Sequence, residues 1–127
     1  MRELLLIAFF GAFGAASRYG VGLLSQRWLG GGFAFGTLAV NLVGCFLLGF
    51  VMHVVVQRVS LGAVLRAAIG VGFLGAFTTF STFGLETFEY VQHGRWLLAV
   101  ANVAANVVLG LLLVWAGVSL ARYLVGH

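Results

Sequence analysis

Four apolar stretches separated only by short polar turns make up most of this 127-residue chain. A helix needs about 20 residues to cross the hydrocarbon of a bilayer, so four crossings use roughly two-thirds of the length and leave no room for a soluble domain. Composition agrees. The chain is 62% hydrophobic and 8% charged, with 19 Gly, no Pro and a mean hydropathy of +1.12. A soluble fold of this size needs far more charge to cover its surface, so a cytosolic enzyme, a nucleic-acid binder and a disulfide-stapled secreted module are all disfavoured. The expected class is an all-α integral membrane protein. It forms a single transmembrane domain over 1–127, with spans at about 4–24, 33–56, 64–90 and 96–123. A lone bundle of four helices has little interior in which to enclose a pathway, so function calls for an oligomer.

The formal charge of +4 comes from seven Arg and three Glu (Glu3, Glu86, Glu89), without Lys. The basic residues stand singly near span ends, and no cluster tracks a phosphate backbone, so nucleic acid is not a partner. Arg2, Arg58, Arg66 and Arg122 fall on the side of the termini; Arg27 and Arg95 fall on the other, with Arg18 deeper near that end. Such a small bias under the positive-inside rule permits insertion both ways and pairing of two opposed copies about an axis in the membrane plane. An ordinary fixed topology is equally compatible with it. The start of the chain partly resembles a signal peptide. Small residues at Gly11, Gly14, Ala15 and Gly22 instead favour a retained span with a packing seam. Ser25–Gly32, with Trp28 and three consecutive glycines, reads as a loop.

Polar residues inside a bilayer need a role or a structural excuse. Arg18 either gives an anion a positive vestibule or snorkels to the headgroups. Thr37 and Asn41 share one face of the second span with Cys45; the carboxamide either donates to a dehydrated anion or joins two helices. Asn102 and Asn106 repeat the spacing in the fourth span, and three amides exceed what one interhelical clamp needs. The third segment is the sharpest signal, with Gly75, Thr78, Thr79, Ser81, Thr82 and Gly84 in a row dense in Phe. Hydroxyls there compete for backbone groups, so the helix either opens or bonds its hydroxyls back to the preceding turn. Freed carbonyls at a break suit a cation, and a following helix N-terminus suits an anion. Phe80 and Phe83 share a face, and their positive ring edges either line an anion path or simply pack. Glu86, one turn on, either accepts from threonines or marks the membrane surface. His53, His93 and His127 lack metal-ligand spacing. No nucleophile elbow, phosphate loop or carboxylate pair supports catalysis, so no enzyme is expected.

Taken together, Gly11–Tyr19, Gly36–Gly44 and Gly72–Phe83 resemble the CrcB/Fluc fluoride channel family over nearly the whole chain. The resemblance implies a broken third helix and an antiparallel, dual-topology homodimer with two fluoride pores in the cell inner (cytoplasmic) membrane. It implies a structural Na⁺ at the dimer interface, held by the backbone carbonyls of Gly75 and Thr78. It maps the pore onto Phe80, Phe83, Asn41 and Arg18, and less firmly onto Thr37, Thr82 and Glu86. Asn102 stands where some members have Tyr, and Asn106 where a small polar residue is common. The implied activity is passive fluoride export, which lowers cytoplasmic fluoride. Two rival readings are a small dual-topology multidrug exporter, which wants a core carboxylate where this chain has Arg18, and a non-transporting membrane assembly subunit.

Overall fold

The computed structural model describes residues 1–57 and 62–125, with side chains omitted for 56 and 57. Arg58–Ser60 of the expected second loop and His127 lie outside the described residues. Among the described residues, four helical runs are long and apolar enough to cross a bilayer: Arg2–Leu29, Phe35–Val55, Ala63–Gln92 and Trp96–Val125. The first is helix α1 (Arg2–Leu29) and the second α2 (Phe35–Gln57). The third span is composite. It comprises α3 (Ala63–Ala67), a π-helical stretch Ala68–Leu74, a short α4 (Gly75–Phe77) and α5 (Phe80–Gln92). The fourth is α6 (Trp96–Ala104), a π turn Ala105–Leu109 and α7 (Gly110–Val125).

Two glycines mark how the ends are turned. α1 continues through Ser25–Leu29, a stretch that reads as loop in the sequence, because nothing there breaks a helix until Gly30 adopts φ 73°. The end of α5 is a Schellman closure. Arg95 N–H reaches the Tyr90 carbonyl at 2.7 Å and Gly94 N–H reaches that of Val91 at 3.0 Å, with Gly94 at φ 69°. Only a residue without Cβ adopts that conformation cheaply.

Packing is by close backbone approach, as expected where lipid offers no hydrophobic drive between helices. α2 packs most extensively on α7, and α1 on the π-helical stretch of the third span. A Cβ on Gly117 would fall on the Phe46 carbonyl, and one on Gly14 on that of Phe73. Of the expected seam of small residues on α1, Gly11 and Gly14 meet the third span, Gly22 faces Gly36 of α2, and Ala15 is exposed. The buried hydrophobic residues are few and mostly small, and Val40 and Asn102 are the largest fully buried side chains among the described residues. A carboxamide is thus among the most deeply buried side chains. Gly117→Val should lower thermal stability by about 1–3 kcal/mol or more, read as a melting shift in detergent by size exclusion. Gly20→Ala, which meets nothing within 4 Å, should leave the melting point near wild type.

Candidate functional site

The site starts from a backbone problem. Between α4 and α5, Thr78 (φ −83°, ψ 159°) and Thr79 (φ −151°, ψ 117°) are extended, so helical bonding stops inside an apolar span. Hydrocarbon supplies no hydrogen bonds, so the released groups need partners within the protein. Thr79 caps α5 with its own side chain: Oγ1 accepts from Thr82 N–H at 3.2 Å and donates to Thr82 Oγ1 at 3.0 Å. Thr78 Oγ1 bonds back to the Leu74 carbonyl at 3.0 Å. Asn41 of α2 takes the Thr79 peptide from both sides, accepting from its N–H at 2.8 Å and donating to its carbonyl at 3.1 Å. In a continuous helix that N–H would bond to the Gly75 carbonyl; here the Gly75 carbonyl is released. The Thr78 carbonyl accepts from Arg18 Nη1 at 3.4 Å. Arg18 therefore points inward at the interruption.

The amides of the fourth span join Asn41 rather than one another alone. Asn41 Nδ2 donates to Asn106 Oδ1 at 2.9 Å. Asn106 Nδ2 donates to the Asn102 carbonyl at 2.9 Å and to Asn102 Oδ1 at 3.1 Å. Asn102 Nδ2 donates to Thr87 Oγ1 at 2.9 Å, and Thr87 Oγ1 to the Phe83 carbonyl at 2.7 Å. Both hydrogens of the Asn41 carboxamide are thus engaged with protein acceptors. The π turn of the fourth span begins where the Asn106 side chain takes the Asn102 carbonyl. Such widenings recur at functional positions.

Beside this network lies a cavity of about 750 Å³ that opens at the α1–α2 loop and the α5–α6 turn. Arg18, Thr37, Val40, Thr79, Thr82 and Glu86 line it, with Glu89, Tyr90, His93 and Arg95 among the residues nearer the turn. Thr37 Oγ1 donates to Glu86 Oε1 at 2.7 Å. Glu86 Oε2 is buried with no partner among the described residues. The rim is fixed by a clasp between the two connections. Arg95 Nη2 donates to the Gly32 carbonyl at 3.0 Å, its guanidinium lies 5.4 Å from the Tyr90 ring centre, and Phe33 stacks on Tyr90. Two guanidinium groups and two carboxyl groups share this wall, so the lining is balanced rather than strongly positive. Arg18 is the cation nearest the interruption.

Four sequence candidates, Arg18, Thr37, Thr82 and Glu86, therefore line one cavity. Phe80, Phe83, Asn41, Asn102 and Asn106 do not line it. Asn102 is 0% exposed and Phe83 is buried, whereas Phe80 is 83% exposed on the outside of the chain. The Phe80 and Phe83 rings lie 5.5 Å apart at 53°. Sequence reasoning did not single out Thr79 as the cap, nor Thr87, Glu89 and Arg95. The cap was signalled by a threonine three residues before Thr82. Thr87 had only its place four residues after Phe83.

A four-span helical chain with a polar cavity ending at an interrupted span is a multi-pass membrane protein with a polar interior. The family model described as CrcB-like protein, Camphor Resistance (CrcB), matches residues 5–118, and the chain belongs to the CrcB family. It is 47% identical over 124 residues to the Fluoride-specific ion channel FluC of Dehalococcoides mccartyi, covering 98% of this chain and 95% of that protein. Its identity to FluC 2 of Listeria monocytogenes is also 47%, over 97% of this chain and 93% of that one. With the FluC of Citrifermentans bemidjiense it is 44%, over 98% and 100%.

Asn41→Leu removes the acceptor for Thr79 N–H and strands a buried donor, which costs about 1–3 kcal/mol. Amide hydrogen exchange at Thr79 should accelerate by at least the corresponding factor. Exchange in α7 should stay near its wild-type rate.

Proposed function

We propose that this chain forms a fluoride-selective channel that lets fluoride leave the cytoplasm down its electrochemical gradient. The observation that carries the reading is the cavity reaching from one end of the bundle to the Thr78–Thr79 interruption, with Arg18 aimed at that interruption. The relatives named as fluoride-specific channels support the choice of ion. They do not favour the exporter or the assembly subunit.

Fluoride is small and holds its water tightly, so a selective path must replace water with donors. Arg18 and the Thr82 hydroxyl supply them along the cavity wall, and Thr37 supplies one by exchanging the proton it now gives to Glu86. Beyond them, the Phe80 and Phe83 ring edges offer positive potential without fixing a full charge in the wall. Packed rings exclude larger anions. Asn41 lies beyond the cavity wall in this reading, with Asn106 and then Asn102 bonded behind it. An anion meeting Asn41 takes over a hydrogen now given to Thr79 or Asn106.

One chain does not enclose such a path. Phe80 is 83% exposed, and Gly75 and Ser81 are exposed beside it in the middle of a span. Polar groups bared to hydrocarbon are costly. A second, inverted copy covers them in this reading, giving an antiparallel homodimer with two pores in the cell inner membrane. The small bias of Arg2, Arg58, Arg66 and Arg122 over Arg27, Arg95 and Arg18 along the sequence suits insertion in both orientations.

The interruption also suits a monovalent cation. The Gly75 carbonyl is released from the helix at an exposed residue, and the Thr78 carbonyl carries only the long Arg18 contact. Two carbonyls are half of a small oxygen cage, so two copies would hold Na⁺ between them. When bound, the ion neutralises facing carbonyl dipoles and ties the subunits together.

Vesicles reconstituted with the purified chain and loaded with fluoride should empty rapidly at a fluoride electrode, without parallel chloride loss. A folded protein that releases neither ion would sink the channel reading. Phe80→Ile or Phe83→Ile should suppress that flux by on the order of tenfold or more while the protein still elutes as one species. Wild-type flux in both variants would rule out a Phe-lined path. Exchanging Na⁺ for a larger monovalent cation should weaken flux and lower the melting point together, and no change in either would remove the Gly75–Thr78 site.

A further inference from the structure

The amides and the Thr87 hydroxyl form a ladder with one direction. Each member accepts from the one before and donates to the one after: Thr79 N–H to Asn41, Asn41 to Asn106, Asn106 to Asn102, Asn102 to Thr87, Thr87 to the Phe83 carbonyl. The ladder leaves the third span at Thr79, crosses α2 and the fourth span, and returns to the third span at Phe83. Its two ends bracket the turn of α5 that bears Phe80 and Phe83. We infer that Thr87, Asn102 and Asn106 are positioning residues, which set where the Phe80–Phe83 turn sits and which way the Asn41 carboxamide faces.

Three features carry this beyond helix-to-helix adhesion. Asn102 is 0% exposed and Asn106 half-buried, and both spend their amide hydrogens on protein acceptors away from the cavity wall. Head-to-tail order polarises every bond in the same sense, so turning one carboxamide over would set donor against donor at the next. An amide that loses its neighbour is stranded in a low dielectric, so the members succeed or fail as a unit. The inference rests on the fluoride reading only for its flux measurement.

Thr87 gives the cleanest test, because Val matches its shape and Ser keeps its hydroxyl. In vesicles, Thr87→Val should lower fluoride flux by on the order of tenfold and reduce the fluoride-to-chloride ratio, while Thr87→Ser stays close to wild type. Asn106→Leu, two links away, should resemble Thr87→Val. The double variant should be no worse than either single, since coupled residues are non-additive. Unchanged flux and selectivity in Thr87→Val, equal losses in Thr87→Val and Thr87→Ser, or losses that multiply in the double variant would each overturn the ladder. Should Thr87→Val not fold, Thr87→Ala takes its place in every comparison. The same cycle read by thermal unfolding needs no transport: coupling of Thr87 to Asn106 supports the ladder even if the wild type carries no fluoride, and strict additivity overturns it. Failure of the wild type to release fluoride tells against the channel reading alone.

Discussion

A peptide group released from its helix inside a bilayer has no water to turn to, and at Thr79 one side chain, Asn41, satisfies both its N–H and its carbonyl. The rest of the site depends on that exchange. Because Asn41 accepts the Thr79 N–H, the Gly75 carbonyl is freed and α4 can stop at Phe77. Because the chain is extended through Thr78 and Thr79, α5 begins with its own cap and presents Phe80 and Phe83 at its first turn. The Thr78 carbonyl then faces Arg18. The guanidinium on the cavity wall thus meets a backbone carbonyl that a continuous helix would have paired.

Close packing makes the exchange possible. Gly14 lets α1 approach the third span at Phe73, and Gly117 lets α7 approach α2 at Phe46. With backbones this near, short side chains such as Asn and Thr reach across from one helix to the next, which longer interhelical distances would forbid. The polar interior is consequently made of short amides and hydroxyls. The larger charged groups, Glu86, Glu89 and Arg95, sit on the wall of the cavity, where the Arg95–Tyr90–Phe33 clasp ties its two rim connections.

Much of the fold was legible because lipid imposes a length and a polarity on each span. Segments that apolar admit few other structures, and four of them appear as four helical runs. The end of the first was misjudged because Gln26, Arg27 and Trp28 look like loop residues, yet each tolerates a helix, and only Gly30 stops it. The two π stretches have no local sequence signature; at the second, the Asn106 side chain takes the Asn102 carbonyl. For the site, rarity was the guide. Arg18, Thr37, Thr82 and Glu86 stood out against an apolar background and meet in one cavity. Thr87 was hidden because a lone threonine late in a helix is ordinary until its partners are known.

The sequence by itself determined the class of protein, the number of crossings and the short list of residues that can carry an ion, because charge and amides are too costly in lipid to be placed without cause. Tertiary structure decided the assignment of those residues. It set Arg18 inward rather than at the headgroups, and put Phe80 outside the chain and Phe83 within it. It joined Asn41, Asn106, Asn102 and Thr87 in a single direction. The reason is that a hydrogen bond depends on distance and orientation across helices far apart in sequence, and spacing along one helix fixes neither.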